Sequence, residues 1–322
     1  MPAVISHYLC GQDALSHMKG NPYFPIIKKH ENLYNLGTQG PDLFFFCMSL
    51  KAAKLGKLMH KKDINQFYER AIAFIKTKNG TQKDKLYAYL CGFLSHYALD
   101  TIGHPFVYYF SGFSGINGEL SGKFGTYHRR FEATLDTVLT EKLGGTTPYS
   151  LNVAKKMNTT KQDRLLLAEF FNFTSTPFQN SLSIKRYKSA AKGLPLFYTV
   201  MRDKYGWKKS FIYNFERAFS YSHSLSAAVH YQNAGHFSAQ NVTNNEHKSW
   251  CVPWDKQKVQ NSSFFDLFHE AAYITKQYSE ELYKVLYQSG DLANALKLFG
   301  NKCFNSGLEE KVYFRYHKSI YE

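Results

Sequence analysis

The sequence predicts an all-α fold, a single multi-helix bundle over residues 1–322, on three observations. Apolar residues recur at three- and four-residue spacing through most of the chain, and few segments alternate as a half-buried strand does. No shift of composition marks a linker, and no internal repeat is visible. Hydrophobic residues make up 44% of 322 residues and aromatics 17%, mostly Phe and Tyr, enough to fill one large core.

Taken in order, residues 6–19 read as a helix through Leu9, Ala14, Leu15 and Met18, broken between Gly20 and Pro25. The stretch 34–42 (YNLGTQGPD) reads as a turn-rich loop in which Gly37, Gly40 and Pro41 fix the backbone. Residues 43–60 read as an apolar helix ending near Gly56. Residues 63–76 read as an amphipathic one with Ile64, Phe67, Tyr68, Ala71, Ile72 and Ile75 on one side. A strongly apolar helix is predicted over 84–103, and Pro105 disfavours helix for the residue before it.

The glycine-rich run 109–125 reads as a surface loop, either a rim over a site or a plain connector. A helix follows over 127–143, stopped by Gly144 and Gly145. Residues 161–173, 184–202 and 207–231 carry further helical patterns, and Pro195 is expected to kink or split the middle one. Residues 241–255 read as a polar loop with aromatics and 264–287 as a helix. Residues 311–316 read as a short strand in a less regular tail.

Charge and cysteine usage narrow the function classes. Forty basic residues against 25 acidic ones give +15, which attracts polyanions: nucleic acid, anionic lipid or phosphate-bearing substrates. The basic residues come as dispersed pairs such as Lys28-Lys29, with no arm or tail, so no dedicated nucleic-acid module is expected. Five cysteines without a close pair argue against a disulfide framework and a thiolate zinc site. Thirteen histidines point instead to imidazole and carboxylate ligands. No basic leader precedes an apolar core, and the longest apolar run, 43–50, is too short to span a bilayer. A cytoplasmic location is the expectation, with export by a leaderless route left open.

The chemistry concentrates in residues 91–106, CGFLSHYALDTIGHPF. His96, Asp100 and His104 lie four residues apart, so each is offset from the next by only about 40° around a helix. Residues 127–136 (YHRRFEATLD) repeat the device with His128, Glu132 and Asp136. An isolated His-x-x-x-Asp is most often a surface ion pair. Here the flanks are apolar, and three ionisable groups on a buried face are costly unless paired or bound to metal. His60, Asp42 and His7 are candidates to complete a metal set.

Together HYALDTIGHPF, GTQGPDLFFF, LGKLMH and YHRRFEATLD resemble the bacterial zinc-dependent phospholipase C family, and NEHKSWCVPWD resembles a C-terminal element of its members. The resemblance implies an all-α bundle that holds two to three zinc ions, a scaffold shared with zinc-dependent single-strand nucleases. Asp42, His60, His96 and Asp100 would hold one zinc, and His104, His128 and Glu132 a more open second. Asp100 would bridge to a third held by His7 and, in secreted relatives, by the N-terminal residue. This chain instead begins Met1-Pro2, and its gap from Asp100 to His104 is shorter than in those relatives.

The implied reaction is phosphodiester hydrolysis of the phospholipase C type, with a phospholipid or other phosphodiester as substrate. Asp42 is the candidate general base as well as a ligand, and Asp136 is expected to orient a ligand or form an ion pair. Tyr8, Phe44, Phe45, Tyr97, Phe106 and Tyr127 are candidates for a choline-type pocket or for plain core. His247 is a candidate to approach the site, although a surface or hydrogen-bonding role suits it, His223, His230 and His236 better. Toxin-like relatives add a lipid-binding β-sandwich, whereas the C-terminal half here reads as helical; the charge still favours contact with an anionic membrane surface. A nuclease on the same scaffold and a non-catalytic zinc-stabilised binding protein remain the alternatives. Head-group preference and oligomeric state are not set by the sequence.

Overall fold

The computed structural model describes residues 4–116, 122–219, 224–237, 241–317 and 319–321. Its helices are α1 (Val4–Met18), α2 (Phe24–Lys29), α3 (Glu31–Gly37), α4 (Leu50–Met59), α5 (Ile64–Lys76), α6 (Gly80–Ser111), α7 (Gly122–Gly144), α8 (Pro148–Leu151), α9 (Val153–Lys156), α10 (Lys161–Thr174), α11 (Ile184–Met201), α12 (Trp207–Ala218), α13 (Ser224–Ala227), α14 (Phe264–Tyr287) and α15 (Leu292–Phe299). Two antiparallel pairs complete the described part: β1 (Phe113–Ile116) with β4 (Tyr313–His317), and β2 (Trp250–Val252) with β3 (Asp255–Gln260). The fold is all-α, as the periodicity predicts.

Helix α6 is the axis of the bundle. Nearly every residue from Leu86 to Tyr108 is buried, which is the pattern of a helix covered on all sides. Helices α1, α3, α7 and α14 pack around it. One core of buried side chains extends from Val4 to Phe304. Helices α5 and α14 form where the apolar periodicity puts them. Helix α14 starts with a capping box in which Ser263 and Asp266 satisfy each other's backbone N–H groups.

Several expectations are corrected. The loop predicted over 34–42 is mostly ordered turn: α3 runs to Gly37, and a 3-10 helix, Gly40–Phe46, carries Asp42. The helix predicted over 43–60 breaks after Phe46. Met48 takes a left-handed φ of 48°, and the Ser49 side chain caps a fresh start at Leu50. Helix α6 continues through Pro105 to Ser111. Proline leaves the Thr101 carbonyl without its helical donor. Gly307 packs there so closely that a Cβ would overlap the Thr101 oxygen.

Pro195 likewise stays inside an unbroken α11. The predicted rim over 109–125 includes the end of α6, strand β1 and the start of α7, and its residues 117–121 lie outside those described. The helix predicted over 207–231 is divided into α12 and α13. The Glu216 carboxylate accepts the N–H groups of Leu225 and Ser226 and so ties the start of α13 to the end of α12. Strand β2 lies inside the loop predicted over 241–255 and pairs with β3, which begins at that loop's last residue. Every side chain of Asp255–Val259 is exposed, so no alternation marks that strand. Among the described residues no helix is long and apolar enough to cross a membrane.

Candidate metal centre

Close helix crossings bring the chemical groups together. Where α3 crosses α6, Gly37 and Gly92 face each other, and a Cβ on either would overlap backbone of the other helix. That contact delivers the 3-10 turn to α6, and Gly40 lies so close to His96 that a Cβ would overlap its ring. His60 caps the C-terminus of α4. His7 comes from α1, His96, Asp100 and His104 from α6, and His128 and Glu132 from α7. All eight predicted residues therefore meet in one buried region, with only the edges of His60 and His104 reaching partial exposure.

Asp100 is at its middle. Its Oδ1 is 3.2 Å from His7 Nε2 and 3.5 Å from His104 Nδ1, and its Oδ2 is 3.1 Å from His96 Nε2 and 3.8 Å from His60 Nε2. Asp42 Oδ1 lies 3.3 Å from His60 Nε2. On the α7 side, Glu132 Oε1 is 3.1 Å from His128 Nε2 and 3.8 Å from His104 Nε2. The four-residue step from Asp100 to His104 keeps both on one face of an unbroken helix, so no swing at Gly103 or Pro105 is needed.

Backbone carbonyls set three of the imidazoles. His60 Nδ1 lies 2.7 Å from the Gly56 carbonyl, His96 Nδ1 3.1 Å from that of Thr38, and His104 Nδ1 3.0 Å from that of Phe304. A carbonyl only accepts, so each Nδ1 carries a hydrogen and each Nε2 is turned toward the carboxylates. This arrangement orients histidines for metal in known sites.

Burial opposes ionisation of all three acids, and the histidines overcome it. His60 and His96 hold Asp42 below its usual range. His104, His96 and His7 hold Asp100 well below, and His128 and His104 do the same for Glu132. Burial also disfavours charge on His104, yet Asp100 and Glu132 push it up to about 9. His128 is lowered, chiefly by burial. The region therefore buries three ionised carboxylates among five imidazoles, a donor set of the kind that holds a divalent cation.

The donors fit zinc. Among the described residues, His96 Nε2, His7 Nδ1 and His128 Nδ1 are buried without a hydrogen-bond partner and are open to a ligand. Among the described residues three groups bring their ligand atoms within 4.8 Å of one another: His7, His96 and Asp100; Asp42, His60 and His96; and His104, His128 and Glu132. Imidazole nitrogens with carboxylate oxygens are zinc donors. Met1 and Pro2 lie outside the described residues, so the third group is described through His7 alone.

Other candidates have different places. Asp136 is fully buried and accepts from the N–H groups of Ile5 (3.1 Å) and Ser6 (2.7 Å), from Ser6 Oγ and from His230 Nε2. It caps the start of α1 and so sets His7 rather than bonding a ligand directly. His247 is exposed and bonds the Asn261 carbonyl, away from the site, and His223 lies outside the described residues. Tyr8, Phe44, Tyr97 and Phe106 are core, whereas Phe45, stacked on His60, and Tyr127 stay half-buried. Phe304 was not foreseen. Its carbonyl takes His104, its N–H donates to the His60 carbonyl, and its ring packs on His60 and His96. A backbone role of this kind leaves no mark in a sequence.

Comparison with curated proteins returns no match, and neither does comparison with solved structures. The family model described as "Zinc dependent phospholipase C" matches residues 6–183, more than half of the chain and including all eight clustered residues. The chain belongs to the zinc-dependent phospholipase C family.

Proposed function

We propose that the protein is a zinc-dependent phosphodiester hydrolase that cleaves a phospholipid between glycerol and phosphate, releasing diacylglycerol and a phosphorylated head group. The observation that carries this reading is the coincidence of family membership with eight zinc-type donors buried in one cluster. Asp42, His60 and His96 would hold one ion, and His104, His128 and Glu132 a second. His7 and Asp100 would hold a third, with Asp100 shared. Zinc held there supplies Lewis acidity, which offsets charge developing on a phosphoryl group and lowers the pKa of water to about 7.

The chain's own residues do the rest. The carbonyls of Gly56, Thr38 and Phe304 take the Nδ1–H of His60, His96 and His104 and so fix the three rings in place. Asp42, buried with Oδ1 3.3 Å from His60 Nε2, serves as a ligand first and as a general base only as a second duty. Burial keeps bulk water from the cluster, which strengthens every electrostatic contact inside it.

The test is product analysis with zinc-loaded protein and phospholipid vesicles. Diacylglycerol release that a chelator abolishes supports the reading. Nucleotide release from single-stranded DNA with the lipid left intact assigns a nuclease instead. Full zinc with no turnover of either substrate assigns a structural metal.

A further inference from the structure

Helix α12 is built inside out. Its inner row, Lys209, Ile212 and Glu216, carries two ionisable side chains at i and i+7. Lys209 Nζ donates to the carbonyls of Ser226 (2.8 Å) and Val229 (2.6 Å) and stands 3.9 Å from the Tyr231 ring centroid. Glu216 receives the N–H groups of Leu225 and Ser226. The outer row is aromatic. Trp207, Phe211, Phe215 and Phe219 follow one another by steps of four and are 58%, 65%, 50% and 62% exposed. A helix that faces water shows the reverse pattern.

The surface extends past the helix. Leu196 and Val200 on α11 are also exposed, and Lys208 Nζ bonds the Val200 carbonyl, tying the end of α11 to the start of α12. Residues 184–219 hold nine Lys and Arg against two acids, Asp203 and Glu216, and both acids are buried. The solvent therefore meets aromatics rimmed only by cations. Tyr127 and Arg130 of α7 share a cavity of about 550 Å³ with Lys209 and Tyr213 of α12. The surface thus flanks the helix that carries His128 and Glu132.

We propose that this α11–α12 face docks on an anionic phospholipid bilayer. Trp207, Phe211, Phe215 and Phe219 enter the boundary between head groups and acyl chains, and Lys204, Lys208 and Arg217 meet the head-group phosphates. Trp and Phe favour that boundary, and basic residues beside them add attraction to anionic lipid. Charge selects this occupant over a second copy, because pairing two such faces sets one cationic rim against another. The assignment rests on the phospholipid-hydrolase reading and names the surface that would bring that enzyme to its substrate.

The experiment is sedimentation with phosphatidylcholine vesicles prepared with and without phosphatidylserine. Wild-type protein is expected to partition onto the anionic vesicles about tenfold or more strongly than a Phe211→Ser/Phe215→Ser variant, and to weaken in high salt. A Lys204→Glu/Lys208→Glu variant should lose the preference for phosphatidylserine. Circular dichroism and zinc content report that each variant is folded, and the lysine variant decides the matter if the phenylalanine variant is not. Equal partition of wild type and folded variants overturns the proposal. So does a wild-type dimer in lipid-free solution that the phenylalanine variant dissolves. Binding as expected, with no diacylglycerol released by wild type, leaves the surface standing and removes the catalytic reading.

Discussion

His104 is held by Phe304: its Nδ1 lies 3.0 Å from the Phe304 carbonyl, 200 residues further along the chain. The Phe304 N–H in turn donates to the His60 carbonyl at 2.9 Å. One residue of the C-terminal segment therefore fixes two histidines from two different helices. Its ring, fully buried, fills the space beside His60 and His96.

Phe304→Ala keeps the backbone bonds but empties that space. Removing a buried Phe costs about 3–5 kcal/mol of stability. The Phe304 carbonyl still holds His104, so zinc affinity is expected to fall by less than the roughly tenfold that losing such a bond costs. Denaturant unfolding and competition with a zinc chelator measure the two effects, and both are expected.

Asp136→Ala leaves the N–H groups of Ile5 and Ser6 and the hydroxyl of Ser6 without their acceptor in a buried setting. Unpaired buried donors cost about 1–3 kcal/mol each, so a loss of about 3 kcal/mol or more is expected. His7 follows directly on this turn. Zinc binding at the proposed His7 group should weaken while that at the proposed Glu132 group holds, which titration with zinc after chelation will resolve.

Gly92→Ala places a methyl into the Tyr34 carbonyl at the crossing of α3 and α6. Backbone cannot give way as a side chain end can. A destabilisation of about 2–3 kcal/mol is expected from thermal or denaturant unfolding. Gly103→Ala, whose Cβ would make only ordinary contacts, is the control and should be near neutral.

Asp163 gives a pH signature remote from the metal centre. Burial raises its pKa, but Lys85 at 2.7 Å and the Thr160 cap lower it below the ordinary 3.8. The stability it adds is present above 3.8 and is lost as the pH falls through the lower folded value. Asp163→Asn should therefore lower the melting temperature at pH 6 and converge with wild type in strong acid. A capping contact of this kind is worth about 1 kcal/mol. Melting curves of both proteins from neutral to strongly acid pH check it.

Much of this was legible in the sequence, and particular residues explain the rest. Ile64, Phe67 and Tyr68 on α5, and Phe264, Phe268 and Ala271 on α14, announce their helices because one apolar face repeats at helical spacing. The clustered residues stand out because His and carboxylates at i and i+4 are costly on an apolar helix without a partner. Pro105 misleads because its cost is local, whereas the packing of Gly307 on Thr101 that accommodates it comes from the far end of the chain. Residues 255–260 hide a strand because exposed polar side chains lie on both of its faces. Phe304 hides because it works through its backbone.

Eight side chains gathered in one buried region are proposed to form a zinc centre. Zinc bound per chain, measured by elemental analysis of protein purified without chelator, tests it most directly, with His128→Ala beside the wild type. Two or three zinc ions are expected in the wild type and one fewer in a folded His128→Ala protein. A wild-type chain that binds no zinc, or a folded variant with the same zinc content as wild type, would contradict it.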